Sequence, residues 1–254
     1  MAVRPDLLVI GPVELSALGA LVGVALIACG WFVRRDLQER GLPMEAAPWL
    51  VGAAAVGGIA GARAWYAVAD PGEALVSGSG LVWYGGLAGG ALGALAAAWW
   101  WRIGPGTLAN LGAPALALGY AIGRMGCQLA GDGDYGTASD LPWAMAYPAG
   151  TVPIDTPVHP TPLYETVAAL VLFSVLWSQR RRFAAPFALA GVWAVGAGAS
   201  RFLVEYIRRN EPVAAGLTAA QVVSLALVAL GVIALSRTRH RWMRPPRAAA
   251  PAGT

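Results

Sequence analysis

Three arginines, Arg63, Arg124 and Arg201, stand in stretches otherwise made mostly of Ala, Gly, Leu and Val. A guanidinium is always charged and presents a flat fork of donors that fits phosphate or carboxylate. Inside an apolar segment it needs an anionic partner or a wet cavity, because a cation at a bilayer centre costs about 2.5–3.5 kcal/mol on insertion scales. Glu205 follows Arg201 by four residues, hence on the same helix face, and can neutralise it. His159, Tyr164 and Glu165 fall within one short run, Tyr84 follows Trp83, Gln221 stands early in another apolar stretch, and Asp132 lies in a Gly-rich loop. His159 is the only histidine before His240, and histidine is the side-chain type suited to proton transfer near neutral pH. The two cysteines, Cys29 and Cys127, are far apart and form no CxxC pair, which argues against a disulfide framework, a thiol relay or a zinc site. The expected chemistry is binding of an anion with a few candidate proton carriers, and neither metal nor cofactor.

The elements that must hold these groups follow from composition. The chain has 254 residues, 57% hydrophobic and 13% charged, against about 25% charged in an average soluble domain. So few charges cannot cover a water-soluble globule, and so much apolar content excludes disorder. Windows of about 20 apolar residues give seven spans, near 12–33, 47–69, 82–101, 107–126, 163–178, 185–207 and 215–236. The expected fold is all-α: a polytopic membrane protein in which residues 1–254 form one seven-transmembrane-helix bundle. The fourth span is interrupted by Pro114, the segment 127–162 is too polar to span and reads as a long outer loop, and 237–254 reads as a basic tail.

All 18 cations are arginine. With the N-terminus outside, Arg34, Arg35, Arg40, Arg102, Arg180, Arg181, Arg182, Arg237, Arg239, Arg241, Arg244 and Arg247 fall inside, and Arg4, Arg208 and Arg209 fall outside. This asymmetry predicts an N-out, C-in orientation. The arginines are spread over short loops, so nucleic acid is not expected as a partner. In this orientation Arg63, Arg124 and Arg201 all lie toward the outer ends of spans two, four and six. Snorkelling accounts for a single arginine in such a place. Three at one depth in Gly-rich helices point to a shared anion site.

The run Gly123-Arg124-Met125-Gly126-Cys127, continuing through Gly131-Asp132-Gly133-Asp134-Tyr135-Gly136, resembles the signature of the bacterial prolipoprotein diacylglyceryl transferase family. Four more pieces fall in that family's order: residues 57–66 (GGIAGARAWY), 83–90 (WYGGLAGG), 159–165 (HPTPLYE), and 200–212 (SRFLVEYIRRNEP) followed by 216–225 (GLTAAQVVSL). The resemblance implies transfer of a diacylglyceryl group from phosphatidylglycerol to the lipobox Cys thiol of a prolipoprotein signal peptide, with glycerol phosphate leaving. It implies a site at the outer leaflet of the bacterial cytoplasmic (inner) membrane, with the lipid bilayer as partner and no metal. By motif, Arg124 and Arg201 match arginines the family depends on, with Arg63 a third candidate for the phosphate. Glu205 matches its acidic companion, and Asp132 stands where the family has Glu. Gly126, Cys127, Tyr164, Glu165 and Gln221 are supporting positions.

Several positions depart from the family's pattern. The family's Phe-His-Gly-Gly is here Trp83-Tyr84-Gly85-Gly86, its Asn after Gly-Arg-x-Gly is Cys127, a Tyr one turn before the second Arg is Ala197, and a Tyr early in the first span appears as Ser16. Two chemistries stay open. Tyr84, His159 or Asp132 takes over activation of the thiol, or Cys127 acts as a nucleophile. The changes also fit a paralogue with another acceptor, or a non-catalytic phospholipid-binding membrane protein.

Overall fold

A computed structural model describes residues 6–10, 13–69, 81–183 and 185–242. Among the described residues the chain is mostly helical, with seven α-helices: α1 (Ala17–Glu39), α2 (Ala46–Ala69), α3 (Leu81–Trp100), α4 (Pro105–Ala130), α5 (Thr161–Gln179), α6 (Ala188–Val204) and α7 (Ala219–Trp242). They correspond one to one with the expected spans. Three of them, at Ala17–Glu39, Thr161–Gln179 and Ala219–Arg239, are long and apolar enough to cross a membrane by length and composition.

The boundaries move for local reasons. The Ser16 hydroxyl accepts the Gly19 amide at 3.0 Å and caps α1, so this helix starts later than expected and runs on through Glu39. Helix α4 passes Pro114 without ending and takes in Cys127, the expected first residue of the loop. Gly131, in the left-handed region at φ 61°, closes it by donating to the Cys127 carbonyl. Helix α7 takes in residues 237–242 of the expected tail, whose remainder lies outside the described residues.

The expectation of a purely helical chain is corrected by three antiparallel two-stranded sheets. They pair β1 (Asp6–Ile10) with β2 (Val13–Ser16), β3 (Met145–Tyr147) with β4 (Ile154–Val158), and β5 (Pro212–Ala214) with β6 (Leu217–Thr218). They fold up segments that are too short or too polar to form helices, and so satisfy their backbone groups. The segment 127–162 is therefore not an open loop. Its hairpin covers a small core in which Tyr135 stacks on Tyr147, ring centroids 4.1 Å apart.

Helices pack in antiparallel pairs. Core residues Val33, Leu37, Leu50, Ile103 and Leu111 join α1, α2 and α4, while Ala113, Ala117, Leu176 and Leu189 join α4, α5 and α6. Large apolar side chains remain on the outside, such as Ile27 at 76% exposed and Leu92 at 66%, a pattern suited to lipid rather than water. The tightest contact joins α2 and α3 along Gly57, Gly61, Gly85 and Gly89. A Cβ added at Gly89 would collide with the Gly57 carbonyl and lie 2.8 Å from the Gly61 Cα. Gly57, Gly61, Gly85 and Gly89 of the two early motifs are thus accounted for by helix contact.

This contact makes a stability prediction. Gly89→Ala is expected to destabilise the protein by about 1–3 kcal/mol through overpacking. Gly52→Ala meets nothing within 4 Å and should be neutral or slightly stabilising, as Ala in a helix interior usually is. Thermal unfolding in detergent checks the difference.

Candidate active site

Helices α4 and α6 end, and α5 begins, at the same end of the bundle. Glu165, on α5 and only 4% exposed, is the centre of the site. Arg124 from α4 brings Nε to 3.0 Å of its Oε2 and donates from Nη2 to its Oε1 at 3.3 Å. Arg201 from α6 reaches Oε1 with Nη1 at 3.5 Å, and Arg208, just beyond α6, reaches Oε2 with Nη1 at 3.4 Å. The Tyr120 hydroxyl, one turn before Arg124, donates to Oε1 at 2.7 Å and accepts from Arg124 Nε at 3.0 Å.

Two further carboxylates complete the arrangement. Glu205, in a turn of 3-10 helix at Glu205–Ile207, pairs with Arg201 Nη1 at 2.8 Å. Asp134 pairs with both Arg124 and Arg208. Three guanidiniums and three carboxylates therefore balance. The carboxylates hold the forks in place, and the exposure of the forks is uneven: the side chains of Arg208, Arg124 and Arg201 are 7%, 12% and 26% exposed. Arg201 spends only Nη1 on these partners, and its Nε and Nη2 make no hydrogen bond among the described residues. Of the three forks, Arg201 alone keeps two nitrogens uncommitted among the described residues.

Around this network the chain is sewn together by its backbone. The Gly136 amide donates to the His159 carbonyl at 2.9 Å, the His159 amide to the Thr137 carbonyl at 3.0 Å, and the Thr137 amide to the Ile207 carbonyl at 2.8 Å. A Cβ at Gly136 would lie 2.6 Å from the Ile207 oxygen and 2.7 Å from the His159 Cβ. This threading places Asp134 against Arg208. Burial alone would raise the Asp134 carboxyl, but Arg124 and Arg208 outweigh it and hold it below the usual carboxylate range. Burial pushes the nearby Tyr135 phenol up to about 12, so it stays neutral and serves packing.

The expected residues are placed as follows. Arg124, Arg201, Glu205 and Glu165 come together. Arg63 is exposed on α2 and makes no ion pair among the described residues, so the structure does not bring it to the cluster. Tyr84 is in the first turn of α3, and its side chain lies outside the described residues. Asp132 Oδ1 accepts the Asp134 amide at 3.3 Å. Gly126 lets α1 approach α4, since a Cβ there would lie 2.8 Å from a Leu18 methyl. Gln221 and Thr218 form a reciprocal cap at the start of α7, at 3.0 and 3.2 Å, and the Thr218 hydroxyl donates onward to Glu205 at 2.8 Å. His159 Nδ1 lies 3.3 Å from the Tyr164 hydroxyl, which accepts the Trp143 indole N–H at 2.7 Å.

Three participants were not among the expected site residues: Arg208, Asp134 and Tyr120. Arg208 had been assigned only to an outer loop, although residues 201, 205 and 208 share a helical face by spacing. Tyr120 carries the same kind of signal, one turn before Arg124. Asp134 lies in a loop, where helical spacing gives no signal, and its one sequence signal is its place in the run 131–136 that resembles the family signature. Cys127 Sγ and oxygens of Asp132 and Asp134 lie within 4.8 Å of one another, close enough in principle to hold a metal ion. Asp134 is already committed to two guanidiniums, however, and Arg124 Nη1 stands 3.8 Å from Cys127 Sγ, so a cation there would face positive charge.

Residues 5–237 match the family model described as prolipoprotein diacylglyceryl transferase. The chain belongs to this family. It is 31% identical to the phosphatidylglycerol–prolipoprotein diacylglyceryl transferase of Methylococcus capsulatus, over 94% of this chain and 97% of the relative. It is 32% identical to the protein of that name from Azotobacter vinelandii, over 81% of each. The Leptospira interrogans protein of that name is 28% identical over 78% of this chain and 73% of its own length.

The charge network makes a pH prediction. A carboxyl whose folded pKa is depressed contributes stability that is complete above its unfolded value, about 3.9 for Asp, and is lost as pH falls through the folded value. Asp134→Asn should therefore unfold at a lower temperature than the native chain at neutral pH. The gap should narrow as pH falls below about 4. Melting curves in detergent at several pH values check this.

Proposed function

We propose that the chain transfers a diacylglyceryl group from phosphatidylglycerol to the cysteine thiol of a prolipoprotein, with Arg201 receiving the lipid phosphate. Family membership supports the reaction, and one observation supports the site: a guanidinium with two uncommitted nitrogens, held by buried carboxylates beside two more forks. An anion docking on Arg201 displaces no existing ion pair. Arg124 and Arg208, fixed by Glu165 and Asp134, add positive potential without reorganising when charge develops. In the step itself, sulfur bonds to the glycerol carbon and the carbon–oxygen bond to phosphate breaks. The electron pair leaves with glycerol phosphate, and the thiol proton passes to a base.

His159 is our candidate for that base. With Nδ1–H donating to the Tyr164 oxygen, Nε2 is left with its lone pair, and the bond from Trp143 fixes the phenol. Tyr84 and Asp132 remain candidate proton carriers, Tyr84 because the resemblance places it where the family has His. Glu205 and Gln221 act as positioning residues through Arg201 and Thr218.

In the same reading all seven helices span the bacterial cytoplasmic membrane as one domain, N-out and C-in. The Glu165 end faces the outer leaflet, segment 127–162 lines the approach of the lipobox peptide, and the basic tail lies inside. The arginine asymmetry between the two sides supports this.

The test uses purified protein, phosphatidylglycerol and a lipobox peptide. A thioether-linked diacylglyceryl peptide and free glycerol phosphate are expected. Arg201→Ala and Arg124→Ala should lower turnover about 10²-fold or more while leaving a folded protein. His159→Ala should lower it about 10²–10⁴-fold and change its pH profile. No product from the native chain, where a family member is active, overturns the reaction. Full activity in Arg201→Ala overturns the phosphate site.

A further inference from the structure

At the opposite end of α1, an open groove of about 520 Å³ is lined by Trp31, Arg34, Arg35, Gln38 and Glu39. Leu18 of α1 packs on Gly126 beside the catalytic cluster, and 17 residues of helix at 1.5 Å each put Arg35 roughly 25 Å from that level. The groove therefore belongs to a different depth from the transferase site.

The exposed side chains along this face change in a definite order. Val24 (52% exposed) and Ile27 (76%) are followed by Trp31 (53%), and then by Arg34 and Arg35, also exposed. These positions recur every three or four residues, so they share one face of the helix. The apolar pair lies nearer the middle of the helix, the indole comes next, and the guanidiniums stand at the end. A phospholipid presents the same order in reverse contact: acyl chain, glycerol, phosphate. The Arg35 guanidinium sits 5.5 Å from the Trp31 ring centroid and 3.6 Å from Glu39. Arg34 makes no ion pair or hydrogen bond among the described residues. Glu39 is also held by Arg180 at 2.6 Å and Arg181 at 3.2 Å, so its single carboxylate faces an excess of arginine and leaves the groove positive.

We propose that this groove binds the headgroup of an anionic phospholipid from the leaflet opposite the transferase site, its acyl chain lying along Ile27 and Val24. Arg34 and Arg35 receive the phosphate by charge-assisted hydrogen bonds, and Trp31 marks the level of the glycerol, as interfacial tryptophans do. Exposed apolar side chains adjoining the arginines select a lipid over free phosphate. The binding depends on α1 crossing the bilayer and not on the chemistry of the other end.

The experiment places the full chain in phosphatidylcholine nanodiscs and titrates in phosphatidylglycerol, counting retained lipid by native mass spectrometry. An Arg201→Ala background removes the transferase-site lipid, and one phosphatidylglycerol per chain should remain bound. Adding Arg34→Ala with Arg35→Ala should weaken that retention at least about tenfold. Gly30→Leu, at a position that meets nothing within 4 Å, fills the track beside Trp31 with both charges intact and should weaken it as well. Unchanged retention in Arg34→Ala/Arg35→Ala overturns the proposal, and so does equal competition by free glycerol phosphate. Turnover of the native chain is measured separately, so loss of the transferase reading leaves the groove result standing, and the reverse.

Discussion

A carboxylate as buried as that of Glu165 needs cationic partners, and distant parts of the chain supply them. Removing a carboxylate from water costs several kcal/mol, and good geometry from several partners is needed to offset this. Arg124 arrives from α4, Arg201 from α6 and Arg208 from the turn beyond it. Each cation is in turn compensated: Glu205 and Asp134 leave the group of six without net charge. Losing any one member would leave an unpaired charge among the others. The bonds of the site thus also link α4, α5, α6 and the turn beyond it.

The network extends through neutral groups into the start of α7. Thr218 caps this helix, is reciprocally held by Gln221, and donates its hydroxyl to Glu205, which Asn210 also holds at 2.7 Å. The fork of Arg201 is thus positioned by α6, by the following turn and by the cap of the next helix. On the other side, the backbone contacts of the pinch at Gly136 help to set Asp134 and His159. Rigid support of this kind is what a group needs if it is to meet developing charge without first moving.

Much of this was legible in the sequence, and the residues show why. Hydrophobic windows located all seven helices because their signal is additive over some 20 residues. Glu205 beside Arg201 followed from helical spacing. The meeting of Arg124, Arg201 and Glu165 followed only from depth and resemblance, because spacing says nothing across helices. Depth did not suffice for Arg63: α2 is packed on α3 along glycines, and this residue is exposed and makes no ion pair among the described residues. The three small sheets escape a sequence reading because strands of two to five residues are too short to show a periodicity. Asp134 was legible only as a member of the run 131–136, because its pairing with Arg124 and Arg208 depends on contacts across the chain that sequence spacing does not show.

The contact between α2 and α3 has a consequence for how the chain assembles. It is backbone against backbone along Gly57, Gly61, Gly85 and Gly89, so no side-chain rotamer at these positions is frozen when the helices meet. The entropy that most helix interfaces give up is largely absent here. With a short separation in sequence as well, this hairpin can close early and locally, ahead of the long-range pairing of Glu165 with its arginines.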